Sequence, residues 1–200
     1  MSLPVKIENQ LAAIQQRLSD TKLQHYELAP EFGIDSLLDS AVLLPLLAGE
    51  TGLEVLFTQR TEHVSKHKGQ ISFPGGQVEA ADRSLADTAL RETLEETGIQ
   101  PQDVRLLGPM SSWPVPTGFR IYPYVGFVSQ YEPALSVSEV HTVFHVPLQH
   151  LADYSNMEIK EWFSFGVHHP LPFFYWQERE IWGATALILK EFIDNTRDLY

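Results

Sequence analysis

Gly75-Gly76, then Asp82, then Arg91-Glu92-Thr93-Leu94-Glu95-Glu96-Thr97-Gly98-Ile99 is the stretch on which the reading of the whole chain turns. It crowds three glutamates and an arginine into the last turns of a helix that Gly98 ends. Two like charges ~4 Å apart at an effective dielectric of ~20 repel by about 4 kcal/mol. At about 100° per residue, Glu92, Glu95 and Glu96 fall within roughly a 100° sector. Ala86, Leu90, Thr93, Leu94 and Thr97 occupy the opposite side, so one face is expected to pack and the other to present carboxylates. Glu92 and Glu96 are i,i+4 neighbours, a pairing that weakens an isolated helix. They also sit where the helix dipole disfavours negative charge. Two local rules broken at one place point to function rather than to stability.

A hard divalent cation resolves the repulsion. Mg²⁺ takes carboxylate oxygens, keeps several waters and is usually completed by substrate phosphates. Such a site polarises a phosphoryl oxygen and activates a water for attack. Arg91 is placed to orient a glutamate through a forked hydrogen bond. The competing reading is a solvated acidic helix face, which is what most charge runs are. The spacing of the whole stretch, rather than the glutamates alone, weighs against it.

Working outward, Ser84 with Asp87 three residues on resembles a capping box and starts the helix at about 84–97. Just upstream, Gln70-Ile71-Ser72-Phe73 reads as a brief strand stopped by Pro74-Gly75-Gly76. Ala41 to Leu47 and Leu53 to Thr58 read as a strand pair joined by a Gly-Glu-Thr-Gly turn, with Pro45 better suited to an edge or a bulge than to a central ladder. Residues 5–19 put Ile7, Leu11, Ile14 and Leu18 at helical spacing, predicting an amphipathic helix. Tyr26 to Gly33 is read as a connecting loop. Downstream, strands are expected at 104–112, 122–128, 140–146, 171–176 and 179–182, with helices at 147–152 and 184–194.

The chain has 200 residues, 44% hydrophobic and 20% charged, which suits one compact domain spanning 1–200. Its 14 basic and 26 acidic side chains give a net charge of −12. That acidity argues against nonspecific nucleic-acid or anionic-membrane binding. There is no cysteine, hence no disulfide, thiolate zinc site or cysteine nucleophile. The start of the chain lacks a signal-peptide pattern and no apolar run approaches ~20 residues, so a soluble, cytoplasmic protein is expected.

The glycine-to-isoleucine spacing resembles the Nudix box: Gly, five residues, an acid, then Arg-Glu, an apolar residue, any residue, Glu-Glu, any residue, Gly and an aliphatic. Gly76, Arg91, Glu92, Glu95, Glu96, Gly98 and Ile99 match. Asp82 stands where the pattern has Glu, with eight residues rather than seven before Arg91, and Thr93 replaces the aliphatic. The resemblance implies an α+β fold, an α/β/α sandwich with a mixed β-sheet and a loop-helix-loop catalytic motif. It further implies Mg²⁺- or Mn²⁺-dependent hydrolysis of a nucleoside diphosphate linked to another moiety. By position, Glu92 and Glu96 would be the principal metal ligands. Glu95 would be a further ligand or the base, and a Gly75 or Gly76 carbonyl would assist.

Leu56 to Gly76, with Ser138-Glu139-Val140 and Ile181-Trp182-Gly183-Ala184-Thr185-Ala186, looks like the coenzyme A pyrophosphatase branch of that superfamily. The likeness runs from about 39 to 192. Phe57 replaces the second Leu of the branch pattern, Thr61 replaces Ser or Ala, and Ser65 stands where Arg is usual. Arg60, Lys66, His67 and Lys68 form the densest basic cluster in an acidic chain. Arg60, Lys66 and Lys68 are therefore the candidate contacts for the 3′-phosphate of a coenzyme A-type nucleotide, against the alternative of a solvated loop. A hydrolase of ADP-ribose or a nucleoside triphosphate is the alternative within the enzyme class, and a noncatalytic nucleotide sensor the alternative outside it.

The other histidines offer no metal spacing. His141 and His145 on a strand would lie ~13 Å apart along its axis. Phe173, Phe174, Tyr175 and Trp176 are read as core or interface residues before stacking partners for adenine. Glu139, Glu178 and Glu180 are candidate auxiliary carboxylates, with solvated surface as the alternative. The N-terminal helix and the segment 171–176 are the candidate surfaces for a homodimer.

Overall fold

Ile7, Leu11, Ile14 and Leu18, spaced for one stripe of a helix, are all buried on α1 (Val5–Asp20). In the computed structural model, which describes residues 3–60, 69–131, 140–164 and 167–200, that stripe shares a core with Leu44, Leu46, Val55, Phe57 and Phe192. Each fully buried Leu or Ile contributes roughly 1.5–3 kcal/mol, so docking rather than intrinsic propensity holds α1. The apolar face once available for a homodimer is thus used within the chain, as are Phe173 and Phe174.

β1 (Leu38–Ala48) and β2 (Leu53–Arg60) pair antiparallel, with Leu46 opposite Val55 and Ala48 opposite Leu53. The expected turn at Gly49–Gly52 joins them. They belong to an eight-stranded sheet with β3 (Ile71–Ser72), β4 (Gly75–Gln77), β5 (Val104–Pro109), β6 (Trp113–Val115), β7 (Phe119–Val128) and β8 (Val140–Pro147). Its central run is β3-β2-β1-β7-β5, with β4 on β1, β6 on β7 and β8 on β2. β1 and β7 run parallel and the other pairs antiparallel, so the sheet is mixed.

Alternation along β1 sends side chains to two helical layers. Ala41 and Leu43 pack with Ala89 of α2 (Leu85–Thr97). Leu44 and Leu46 face α1 and α4 (Gly183–Thr196). After α3 (Leu148–Ala152), a separate three-stranded sheet in the order β11-β10-β9 is built from β9 (Met157–Ser164), β10 (Val167–Trp176) and β11 (Arg179–Ile181). The expected α/β/α layering is present. Among the described residues no helix is long and apolar enough to cross a membrane.

Three local expectations are corrected. Pro45 lies in the most central strand, opposite Gly126 of β7. It is tolerated because β1 changes partner there: residues 40–42 pair with β4 and 46–48 with β2, so the missing N–H falls in the gap. Gly75-Gly76 does not merely stop a strand but is one, opposite Val42 and Ala41. Finally, β6 and β9 are strands where the sequence predicts none.

Candidate active site

Ser84 caps α2 by accepting the Asp87 N–H at 3.1 Å, and Gly98 closes the helix in the left-handed region with φ 80°. Between these caps the buried residues are Thr88, Ala89, Thr93, Glu96 and Thr97. Positions 89, 93, 96 and 97 are i, i+4, i+7 and i+8, a single packed stripe. Glu96 therefore lies inside that stripe instead of on a shared acidic face. Side-chain exposure grades from 7% at Glu96 through 17% at Glu92 to 58% at Glu95. Thr93, the departure from the aliphatic of the resembled pattern, satisfies its hydroxyl by donating to the Ala89 carbonyl at 2.6 Å.

The buried end of this gradient meets the glycine strand. The Gly75 N–H donates to Glu96 Oε2 at 3.3 Å. A Cβ on Gly76 would stand 2.4 Å from the carboxyl carbon of Glu92. Only a bare backbone at Gly76 lets the Glu92 carboxylate approach so closely. The two glycines are unequal, however. A Cβ on Gly75 would meet the Ala41 carbonyl oxygen at 2.4 Å and the Val42 Cα at 2.7 Å, both in the central strand. Gly75→Ala should thus cost about 2–3 kcal/mol, and Gly76→Ala about 1 kcal/mol or less because the Glu92 side chain can swing. Urea midpoints compare them, and equal losses would refute this account of the close approach.

Arg91 organises the outer end. Its Nε and Nη2 donate to Asp82 Oδ1 and Oδ2, both at 3.0 Å. Nη1 donates to Glu92 Oε1 at 2.9 Å and lies 3.4 Å from Glu95, while Nη2 also reaches the Gln77 carbonyl at 3.0 Å. The expected fork exists, but on Asp82 rather than on a glutamate. Asp82 also accepts from the Glu79 N–H at 2.9 Å and the Thr88 hydroxyl at 2.8 Å. The Arg91 hydrogen bonds, followed by the Glu79 N–H, hold its carboxyl well below the usual range, and Asp82 in turn raises Arg91. In the sequence Asp82 stands out only as a departure from the resembled pattern. The available sign was an acid at the pattern's acidic position with an arginine nine residues on.

Arg60 ends β2 with Nη1 3.9 Å from Glu96 Oε1, which places it beside α2. Lys66, Lys68, His67, Ser65 and Glu139 lie outside the described residues. Glu178 and Glu180 are exposed on and beside β11. His145 lies 3.5 Å from Glu54. Among the described residues, no three histidine, aspartate or glutamate side chains converge as a metal-holding group. What does converge is a pair, Glu92 and Glu96, against the Gly75-Gly76 backbone.

A model of the NUDIX domain matches residues 37–181. The chain belongs to the Nudix hydrolase family. NudL, a Nudix hydrolase from Salmonella paratyphi B described as uncharacterized, is 37% identical over 154 residues, covering 76% of this chain and 79% of that protein. A MutT/nudix family protein from Enterococcus faecalis aligns with a TM-score of 0.50 at 18% identity, over 98% of this chain and 74% of the other. A protein from Deinococcus radiodurans aligns with a TM-score of 0.51 at 13% identity, over 77% and 82%. These two share the fold, and the mixed sheet between helices is the Nudix sandwich. Nudix hydrolases act on small nucleotide-linked substrates and generally use divalent metals such as Mg²⁺ or Mn²⁺.

Proposed function

We propose that this Nudix hydrolase cleaves the diphosphate of coenzyme A or its derivatives, giving 3′,5′-ADP and 4′-phosphopantetheine or its acylated form, in the cytoplasm. The observation that carries the reading is the approach of Glu92 and Glu96 to Gly75-Gly76, with Gly75 donating to Glu96 at 3.3 Å. Two carboxylates drawn against one backbone segment are a hard oxygen donor set. Mg²⁺ commonly takes one or two carboxylates plus substrate phosphates, so the pair fits without a third side chain. Glu92, Glu96 and the Gly76 carbonyl would hold the ion. When bound, Mg²⁺ or Mn²⁺ supplies positive charge to the diphosphate oxygens and acidity to an attacking water.

The remaining groups have separable tasks. Glu95, the most exposed of the three glutamates, is the carboxylate to receive the proton of the attacking water. Arg91 keeps Glu92 in position while anchored to Asp82. Arg60, beside Glu96, is suited to a phosphoryl oxygen of the diphosphate. The coenzyme A part is supported by the resemblance of residues 56–76 and 181–186 to that branch. Ser65, where the branch carries Arg, favours a second reading as a hydrolase of ADP-ribose or a related nucleoside diphosphate. A noncatalytic sensor has no use for the intact glutamate pair.

Lys66 and Lys68 are the proposed counter-charges for the 3′-phosphate. A charge-assisted hydrogen bond contributes about 1.5–3 kcal/mol, and tenfold needs only ~1.4. Coenzyme A should then be preferred to its 3′-dephospho form by at least ~10-fold in kcat/KM. Replacing the responsible lysine by Ala should collapse that preference and leave dephospho-coenzyme A hydrolysis nearly intact, and high salt should erode it. Equal efficiency on both substrates, unmoved by the substitutions, would transfer the assignment to the broader hydrolase.

A further inference from the structure

Thr58 lies opposite Ser72 and Gln59 opposite Ile71 across β2 and β3, and the Arg60 N–H donates to the Gln70 carbonyl at 3.1 Å. Side chains alternate along strands, so Thr58, Arg60, Gln70 and Ser72 share one face. That is the face of α2, where Arg60 meets Glu96; Ile71 and Phe73 enter the core on the other. The Gln70 side chain comes within 4.0 Å of where a Cβ on Gly183 would stand. Thr185 donates to the Ile71 carbonyl at 3.3 Å. The segment following β11 is thereby held at β3, the edge strand next to the β2 that carries Arg60.

Trp182, adjoining Gly183, belongs to an aromatic cluster. Its ring centroid is 4.9 Å from Trp162 and 6.1 Å from Phe173, the latter with planes only 5° apart. Phe173 is buried at the base and Trp182 is half-buried, while Trp162 is 39% exposed. Lys160 stands 4.7 Å over the Phe173 ring, but Glu158 at 3.9 Å and Glu180 at 3.8 Å outnumber its charge. This ledge is therefore poorly suited to another phosphate. An accessible indole backed by packed rings suits a flat, uncharged ring.

We infer that Trp162 and Trp182 form the stacking platform for the purine base of the substrate, with the diphosphate at Glu92, Glu96 and Arg60. The inference rests on reading the site as one for nucleoside diphosphates, not on what the second phosphate carries. Phe173 supports the platform from below, and it is Trp162, outside the aromatic run at 173–176, that offers the free face.

Calorimetric titration of the full chain with ADP and with inorganic pyrophosphate, each with Mg²⁺, tests the assignment. The native protein is expected to bind ADP at least tenfold more tightly than pyrophosphate. Trp162→Ala should weaken ADP about tenfold and pyrophosphate less than twofold. Trp162→Phe should restore most of the loss. Trp162→Leu keeps apolar bulk without a π-face and should behave as Trp162→Ala, which guards against a folding effect. Unchanged ADP affinity in the Ala and Leu variants, equal losses for both ligands, or no ADP advantage in the native chain would each overturn the platform. Loss of the platform would leave coenzyme A hydrolysis as a separate question. Conversely, a clear Trp162 effect in a chain that does not hydrolyse coenzyme A would refute only that substrate.

Discussion

Glu96→Gln is expected to keep the fold and lose at least ~10²-fold in turnover at saturating Mg²⁺. The substitution is nearly isosteric, and its amide oxygen can still accept the Gly75 N–H that now reaches Glu96 at 3.3 Å. What disappears is one negative charge from the pair proposed to hold the cation, at the most buried of the three glutamates. Glu92→Gln should fall in the same range. Glu79→Gln is the control: that side chain is exposed and only 3.9 Å from Arg91, so its loss should matter far less. Turnover is read across a Mg²⁺ titration with circular dichroism as the check on folding. Near-normal turnover at saturating metal would remove Glu96 from the site.

Arg91→Ala should be the most destabilising single change near the helix, by about 3–5 kcal/mol at neutral pH. It would leave Asp82, whose side chain is only 5% exposed, without its counter-charge. Arg91→Lys should recover little, because a single ammonium cannot reproduce the fork to Asp82 together with the bonds to Glu92 and Gln77. The sign of the pH dependence follows from Asp82. Its folded pKa is depressed, so its contribution is fully present above the unfolded value near ~3.9 and is lost as pH falls toward the folded one. In Arg91→Ala the carboxyl loses the largest part of that stabilisation and keeps only the bonds from the Glu79 N–H and the Thr88 hydroxyl. The stability gap between native and variant chains should consequently narrow below about pH 4, measured by urea unfolding at several pH values. A gap independent of pH would mean that Arg91 acts through packing alone.

The helices α1 and α2, which flank the sheet, were readable from signals within their own segments. Ser84 and Gly98 bracket α2, and the stripe from Ile7 to Leu18 has one periodicity along α1. β9 was not, for a physical reason: Ile159, Trp162 and Phe163 are all exposed, so no buried face imprinted an alternation on Met157–Ser164. β6 is three residues long with a proline in the middle. At the site, the spacing from Gly76 to Ile99 was visible, but the division of labour was not. Helical angles group Glu92, Glu95 and Glu96 together. It takes the position of β4 to draw Glu96 inward, and the loop bearing Asp82 to draw Arg91 outward. Both depend on contacts made across the chain, which polarity along one helix does not encode.

The docking of α1 also sets an order of events during synthesis. Its buried stripe belongs to the same core as Ile188, Leu189, Phe192 and Ile193 of α4, and Gln10 donates to the carbonyl of Leu199. Made before α4, α1 therefore waits for it before its apolar side is fully covered. At about 5–20 residues per second, that interval is on the order of ten to thirty seconds. For that time Leu11 and Ile14 have only nascent strands or chaperones to lie against.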